Sequence, residues 1–111
     1  MKNSAYTTTL RGTNLRYALT RLLQLSGPCT IPELIAGLTK WGFTVDGRPS
    51  KTISDALRWE MGRERVWRIG RGRYRYDSAP RPTEYRIINR VAKLHEEVLS
   101  LRGEQRPLFP D

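Results

Sequence analysis

The apolar residues of the chain first recur with a helical period just after Asn14. Five of them share one face of the predicted helix: Leu15, Ala18, Leu19, Leu22 and Leu25. Asn14 is a residue type that caps helix starts, and the run Ser26-Gly27-Pro28 is typical of a helix end. Residues 1–13 are polar and rich in threonine, and they are predicted to be a flexible lead.

A second helix is predicted from the stretch "TIPEL". Thr30 precedes Glu33 by three residues, the spacing of a capping box, and Pro32 stands in the first turn, where its missing N–H costs little. The apolar face of this helix comprises Ile31, Leu34, Ile35 and Leu38. Gly42 is a residue type suited to the C-terminal end.

A third helix follows a loop in which the pair Asp46-Gly47 predicts a turn. Pro49 opposes an earlier helix start, so Ser50 is the predicted N-cap and the helix covers residues 50–61. Its apolar side comprises Ile53, Ala56, Leu57 and Met61. Its opposite side is polar and comprises Lys51, Ser54, Asp55 and Arg58.

After Gly62 the apolar period falls to two, which is typical of strands. The pattern predicts a hairpin over residues 66–76 with its turn at Gly70-Arg71-Gly72. Its apolar side is expected to pack on the helices and comprises Trp67, Ile69, Tyr74 and Tyr76. The exposed side carries arginines, namely Arg68, Arg73 and Arg75, with Arg71 at the tip.

A final helix over residues 83–102 follows a proline-containing linker and is capped by Thr83. Its apolar residues are spaced four and three apart, as in a heptad seam: Ile87, Val91, Leu94, Val98 and Leu101. Such a seam can pack back on the first helix or pair with its copy, and the charged residues around it favour a homodimer. Residues 103–111 form a predicted tail.

The charge of the chain is concentrated in one segment. The 111 residues suit one domain with an appended element, and their formal net charge is +9. Residues 48–76 carry nine bases and three acids, whereas residues 77–111 carry six of each. A basic segment of this kind favours nucleic acid as a partner.

Several other function classes are disfavoured by the residue inventory. A single cysteine, Cys29, excludes an intramolecular disulfide, and with the single histidine, His95, it cannot complete a zinc site. The acids show no paired spacing and no glycine-rich phosphate loop is present, so we expect no catalytic residues, no metal and no cofactor. No apolar run reaches the ~18 residues of a membrane span, which favours a cytoplasmic, nucleoid-associated protein without a membrane partner.

The predicted fold class is mainly α with a small β-hairpin (α+β). Three helices followed by a basic hairpin are the layout of a winged helix-turn-helix, here over residues 14–77, with a C-terminal helix added. The stretches "LRYALTRLLQLSGPCTIPELIAGL", "DGRPSKTISDAL" and "VWRIGRGRYRY" resemble the HARE-HTH group of winged helices. The residues on that pattern are Pro49, Thr52, Ile53, Leu57, Trp67, Gly70, Gly72, Tyr74 and Tyr76. The resemblance covers about Leu15 to Tyr76 and implies a module associated with DNA, chromatin or polymerase.

We therefore expect a protein that binds double-stranded DNA, either a small transcriptional regulator or an architectural protein of a bacterium or phage. The third helix would enter the major groove, and the hairpin would follow the backbone or the minor groove. The predicted contact residues are Arg48, Ser50, Lys51, Thr52, Ser54, Asp55, Arg58, Arg68, Arg71, Arg73 and Arg75. Arg58 is the candidate reader of guanine, whereas Asp55 can instead pair with Arg58. A charged side chain of either sign would protect the edge of a sheet from pairing with another strand. No acid lies between Arg65 and Tyr76, so edge protection alone does not explain why the charges of the hairpin are all positive.

Two alternatives remain open at this point. One is an adaptor that docks on replication or transcription proteins, since Gln105, Leu108 and Phe109 match the Q-x-x-L-F peptide that binds the replication sliding clamp. The other is a binder of single-stranded nucleic acid that stacks bases on exposed Tyr74 and Tyr76.

Overall fold

Four helices and two small sheets make up residues 7–102, the part of the chain that the computed structural model describes. The helices are α1 Gly12–Ser26, α2 Ile31–Lys40, α3 Pro49–Gly62 and α4 Arg81–Arg102. The strands are β1 Thr8–Leu10, β2 Cys29–Thr30, β3 Phe43–Val45, β4 Val66–Gly70 and β5 Arg73–Tyr76. The predicted α+β class, with its hairpin and long C-terminal helix, is confirmed. The tail residues Gln105, Leu108 and Phe109 lie outside the described residues.

The start of α2 follows the predicted capping box. The backbone N–H of Glu33 donates to Thr30 Oγ1 at 3.3 Å, and the backbone N–H of Thr30 donates to Glu33 Oε1 at 2.8 Å. Hydrogen bonds from the Thr30 backbone and side chain hold the pKa of Glu33 below its ordinary value. Just after the helix ends, Gly42 has a φ of +86° and a Cβ there would collide with Val98 on α4. Glycine therefore permits both the turn and the close approach of α4.

The other three predicted N-caps are wrong. Thr83 lies inside α4, which begins two residues earlier at Arg81. Helix α1 begins at Gly12 with Arg11 at the N-cap, and Asn14 in its first turn instead accepts a hydrogen bond from Arg90 of α4 at 2.7 Å. Helix α3 begins at Pro49 with Arg48 at the N-cap, and neither cap residue makes a side-chain capping bond. Proline suits the first helical position because it needs no N–H there and its φ is already helical.

The predicted flexible lead contains a strand. Strand β1 pairs in parallel with β3, and the last residue of β1, Leu10, is buried. Next to this pair, Arg11 Nη2 lies 2.6 Å from Asp46 Oδ2, which ties the chain before α1 to the turn before α3. Residues 1–6 of the predicted lead lie outside the described residues.

The predicted hairpin is confirmed as β4–β5 and belongs to a sheet of order β2-β5-β4. Its faces differ from the prediction. Trp67 pairs with Arg75 across the strands, and directly opposed residues of an antiparallel pair lie on one face. Trp67 is therefore on the outer face with the arginines, where it is 41% exposed, and Ile69 is 46% exposed. The prediction that these two residues pack on the helices is wrong.

The inner face of the hairpin contains Tyr74 and Tyr76, as predicted, together with Val66 in place of Trp67 and Ile69. Val66 and Tyr74 are buried in the core, and Tyr76 is half-buried. The cross-strand pair of Tyr74 is Arg68, so this arginine lies on the inner side and not with the other arginines. A register shift between Arg68 and Gly70 interrupts the alternation near the turn. The period of two predicts two faces, but it does not decide which face of β4 is buried.

Helix α4 packs back on α1 within the same chain. Four residues of its predicted seam belong to the core: Ile87, Val91, Leu94 and Val98. The fifth, Leu101, is exposed, as is Leu25 of α1, which the helical period placed on the buried face. The assignment of this seam to dimerisation is therefore corrected, because its residues already cover the domain that they belong to. A homodimer stays a prediction and would need another surface.

Candidate nucleic-acid interface

A cleft of about 360 Å³ separates the exposed side of α3 from the β4–β5 hairpin. Seven residues from these two elements line it, namely Ser50, Ser54, Arg58 and Met61 of α3 with Arg68, Gly72 and Tyr74 at the hairpin. Ile31 of α2 completes its lining. Predicted contact residues from two separate stretches of sequence, Ser50, Ser54, Arg58 and Arg68, thus line one groove. We call this the α3–hairpin cleft.

The exposed face of α3 carries a short row of charges. Asp55 Oδ2 lies 3.0 Å from Lys51 Nζ, and Asp55 Oδ1 lies 3.7 Å from Arg58 Nη1. All three side chains are largely exposed, and exposed pairs of this spacing contribute only about 0.3–0.5 kcal/mol each. Asp55 thus orients the two cations, and a phosphate or a base edge can replace it at little cost.

The first turn of α3 is anchored to the preceding loop. The Thr52 hydroxyl donates to the backbone O of Asp46 at 3.0 Å, and the Thr52 backbone N–H donates to the backbone O of Arg48 at 2.9 Å. Thr52 is therefore better described as a positioning residue than as a contact. The N–H groups of Ser50 and Lys51 precede the first intrahelical bond, and no acid lies in this turn, so the helix end favours an anion.

The arginines of the hairpin are mostly without acidic partners. Arg68 Nε donates to the backbone O of Gly70 at 3.2 Å, and Arg75 Nη1 lies 3.4 Å from Asp77 Oδ1. Within residues 7–102, the side chains of Arg71 and Arg73 make no hydrogen bond or ion pair, and the same holds for Arg48. The positive charge at the tip of the hairpin is therefore available to an external anion.

A buried carboxylate fixes the hairpin relative to α3. Glu60 is fully buried near the end of α3, and its Oε1 lies 2.8 Å from Arg65 Nε, just before β4. Arg16 of α1 approaches its Oε2 at 3.7 Å, and the Thr20 hydroxyl donates to its Oε1 at 3.1 Å. A buried carboxylate is stable only with such partners, so these contacts define where the hairpin leaves the helix.

The contact of the Trp59 ring with two arginines was not predicted from the sequence. The indole of Trp59 is about half exposed, with the guanidinium of Arg16 4.5 Å and that of Arg63 5.3 Å from its ring. Arg63 follows Trp59 by four residues, a helical spacing that could have indicated their contact, whereas Arg16 comes from α1. These residues extend the basic surface past the C-terminal half of α3.

The tyrosines of the hairpin do not form an exposed stacking surface. Tyr74 is buried, and the Tyr76 hydroxyl donates to Glu84 Oε2 of α4 at 2.6 Å. Burial, with the Glu84 hydrogen bond second, raises the pKa of Tyr76 to about 12. The alternative of base stacking on exposed Tyr74 and Tyr76 therefore does not fit their burial, and the exposed aromatic residue of the hairpin is Trp67.

The outer face beside Trp67 has its own acidic group. Hydrogen bonds from Trp67 and then Arg75 lower the pKa of Asp77. This carboxylate therefore stays ionised at neutral pH and partly offsets the charge of Arg75. The strongest uncompensated charge of the hairpin is consequently near its turn.

The chain matches no family model, no curated protein and no solved structure. In the described part of the chain no group of three or more His, Cys, Asp or Glu side chains could hold a metal ion. Among residues 7–102, no helix has the length and apolar character needed to cross a membrane.

Proposed function

We propose that the chain is a winged helix-turn-helix module that binds double-stranded DNA without performing chemistry on it. In this proposal α3 enters the major groove and the β4–β5 hairpin, as the wing, follows the phosphate backbone or the adjacent minor groove. The observation that carries the proposal is the α3–hairpin cleft, where polar and basic residues of α3 face Arg68 across about 360 Å³ of open space.

The distribution of charge supports a duplex rather than a small anion. Unpaired arginines at the hairpin, with the anion-favouring start of α3, offer several phosphate contacts along one side of the molecule. Each phosphate contact releases counterions from DNA, so about four contacts should give a slope of roughly −3.6 in log affinity against log salt. A smaller anion would show a weaker dependence.

Sequence preference, in this proposal, comes from α3. Arg58 lines the cleft, its side chain is 76% exposed, and it is held only by a long pair to Asp55. An arginine at such a position can donate two hydrogen bonds to the O6 and N7 atoms of guanine. Losing such a contact costs about 1–3 kcal/mol of discrimination between bases.

The proposal is tested by selecting bound fragments from random duplex DNA with the wild type and Arg58→Ala. A motif in the wild-type pool that Arg58→Ala relaxes supports a sequence-specific regulator, whereas wild-type binding without a motif supports an architectural protein. Lys93→Ala removes an exposed charge of α4 and is the matched control. Preferential binding of single-stranded over duplex oligonucleotides, or affinity that does not change with salt, would contradict the proposal.

A further inference from the structure

Two large apolar side chains are exposed on the outermost strand of the hairpin. Trp67 and Ile69 lie two residues apart on β4 and are 41% and 46% exposed. Strand β4 is an edge strand in the sheet order β2-β5-β4, and exposed apolar residues at a sheet edge promote pairing with other chains. The two side chains therefore indicate a contact with a partner rather than a requirement of the fold.

An irregularity in the strand pairing sets the position of Ile69. Arg68 pairs with Tyr74 across the hairpin. The next pair is Gly70 with Arg73, so β4 has one residue between these pairs where β5 has none. Ile69 is this extra residue, and it has no partner across the strands. A bulge of this kind bends the strand and redirects the side chain, here directly before the turn.

The hairpin that carries Ile69 is held at both ends. At the turn, the backbone N–H of Ile31 donates to the backbone O of Gly72 at 3.2 Å, which joins the tip of the hairpin to the start of α2. At the open end, the backbone N–H of Asp77 donates to the backbone O of Arg65 at 2.8 Å. A side chain on such a support keeps its direction when it is pressed against another surface.

The charges around Ile69 show which partner fits it. Within residues 7–102 the side chain of Arg71 makes no hydrogen bond or ion pair, and that of Arg68 donates only to the backbone O of Gly70, at 3.2 Å. No acid occurs over residues 66–76. A partner that covers this tip must accept an apolar side chain among negative charges. Duplex DNA does so in its minor groove, which is about 6 Å wide and has base pairs on its floor and phosphates along both rims.

We propose that Ile69 is an apolar wedge, which enters the minor groove and partly unstacks one base-pair step, so that the chain bends the duplex that it binds. This role rests on the proposed binding of double-stranded DNA, and in it the hairpin occupies the minor groove rather than only the backbone. Isoleucine is one of the residues that proteins insert in this way, and the resulting kinks are about 20–90°. Arg71 lies two residues away, at most about 7 Å along the chain, so it contacts phosphate at the rim while Ile69 reaches the floor.

The test is the fluorescence of 2-aminopurine, an adenine analogue that brightens when neighbouring bases no longer stack on it. The analogue is placed at successive positions of a duplex that contains pyrimidine–purine steps, which unstack most easily. We expect the full wild-type chain to raise the fluorescence at one step and Ile69→Ala to abolish this rise. Ile69→Leu keeps an apolar wedge and should retain the rise. Leu25→Ala removes an exposed apolar side chain from α1 and should change nothing, and circular dichroism confirms that each variant is folded.

Energy transfer between dyes on the two ends of the same duplex measures the bend. The wild type should shorten the distance between the dyes, whereas Ile69→Ala should leave it near the value of free DNA while duplex affinity changes by less than about tenfold. A wild type that binds without unstacking or bending the duplex, or an Ile69→Ala variant that does both equally well, overturns the wedge and leaves the proposed DNA binding intact. Trp67 and Ile69 would then belong to a contact with another protein. A wild type that binds no duplex would instead overturn the proposed function, and the wedge with it.

Discussion

Helix α3 and the β4–β5 hairpin both carry exposed cations, but they hold them differently. On α3, Lys51 and Arg58 share the carboxylate of Asp55, at 3.0 Å and 3.7 Å. On the hairpin, Arg71 and Arg73 make no ion pair within residues 7–102, although Arg73 is near enough to Glu33 to help lower the pKa of that carboxyl. One element presents oriented, paired charge, and the other presents charge that is mostly unpaired.

This difference suggests that α3 and the hairpin make different contributions to DNA binding in the proposed complex. Uncompensated arginines attract phosphate wherever it lies, so the hairpin should provide most of the affinity and of the salt dependence. Cations held by Asp55 on a rigid helix are oriented before DNA arrives, so α3 should provide selectivity. The variants below separate the two contributions, starting with the contact that holds both elements together.

The largest effect is expected for Glu60→Gln, which leaves Arg65 without its buried carboxylate partner. Breaking a buried pair from one side is strongly destabilising, and we expect the free energy of unfolding to fall by about 3 kcal/mol. Urea unfolding followed by circular dichroism measures this change. Glu97→Gln on the exposed side of α4 is the control and should change it by less than about 0.5 kcal/mol. Equal unfolding midpoints for the two variants would contradict the role given to Glu60.

The double variant Arg71→Ala/Arg73→Ala tests the hairpin. Loss of two phosphate contacts should weaken duplex binding about 100-fold at low salt and reduce the salt slope by roughly two, equally for all sequences. Fluorescence anisotropy at several salt concentrations measures both quantities. Lys40→Ala/Lys93→Ala removes the same charge from exposed positions of α2 and α4 and should leave the slope near its wild-type value. A similar loss of duplex affinity in both double variants would mean that binding depends only on the net charge of the chain and not on the position of the arginines.

Tyr76→Phe tests whether the inner face of the hairpin contributes to stability alone or also to DNA binding. The variant loses the hydrogen bond to Glu84, so stability should fall by about 1 kcal/mol while duplex affinity stays unchanged. The pKa of Tyr76 in the folded protein is raised to about 12. The wild type should therefore be more stable than Tyr76→Phe by the full amount below pH 10, and this difference in stability should disappear as the pH rises toward 12. Thermal unfolding across this pH range measures it, with exposed Tyr85→Phe as control. Weaker DNA binding by Tyr76→Phe would place the inner face in the interface.

The smallest effect is expected for Asp55→Asn on α3. Removing this acid should strengthen duplex binding about threefold, because one repulsion of phosphate disappears. Selectivity should fall at the same time, because Lys51 and Arg58 lose the group that orients them. Binding to selected and to random duplexes measures both changes, with Glu97→Gln as control. Weaker binding to every duplex would instead indicate that Asp55 itself contacts a base.

Local sequence signals predicted the elements of this fold well. The helical periods located four helices, the Thr30–Glu33 spacing identified a capping box, and the shift to period two located the hairpin. These features depend on neighbours a few residues apart, so they can be read from the chain alone. The row of charges formed by Lys51, Asp55 and Arg58 could be predicted from the sequence for the same reason.

The errors come from contacts between residues distant in sequence. Strand β1 forms only because β3, more than thirty residues later, pairs with it. Trp67 and Ile69 alternate as buried residues would, but pairing with β5 and the burial of Val66 put them outside. The α4 seam was compatible with a partner helix in another copy or in the same chain, and only the packing on α1 decides between them.

The most direct test of the DNA interface is to map amide chemical-shift changes by NMR while a duplex oligonucleotide is added to the full chain. The proposal predicts the largest changes over residues 49–58 and 66–76, with residues 85–99 of α4 unaffected. Changes centred on α4, with none at the α3–hairpin cleft, would contradict it.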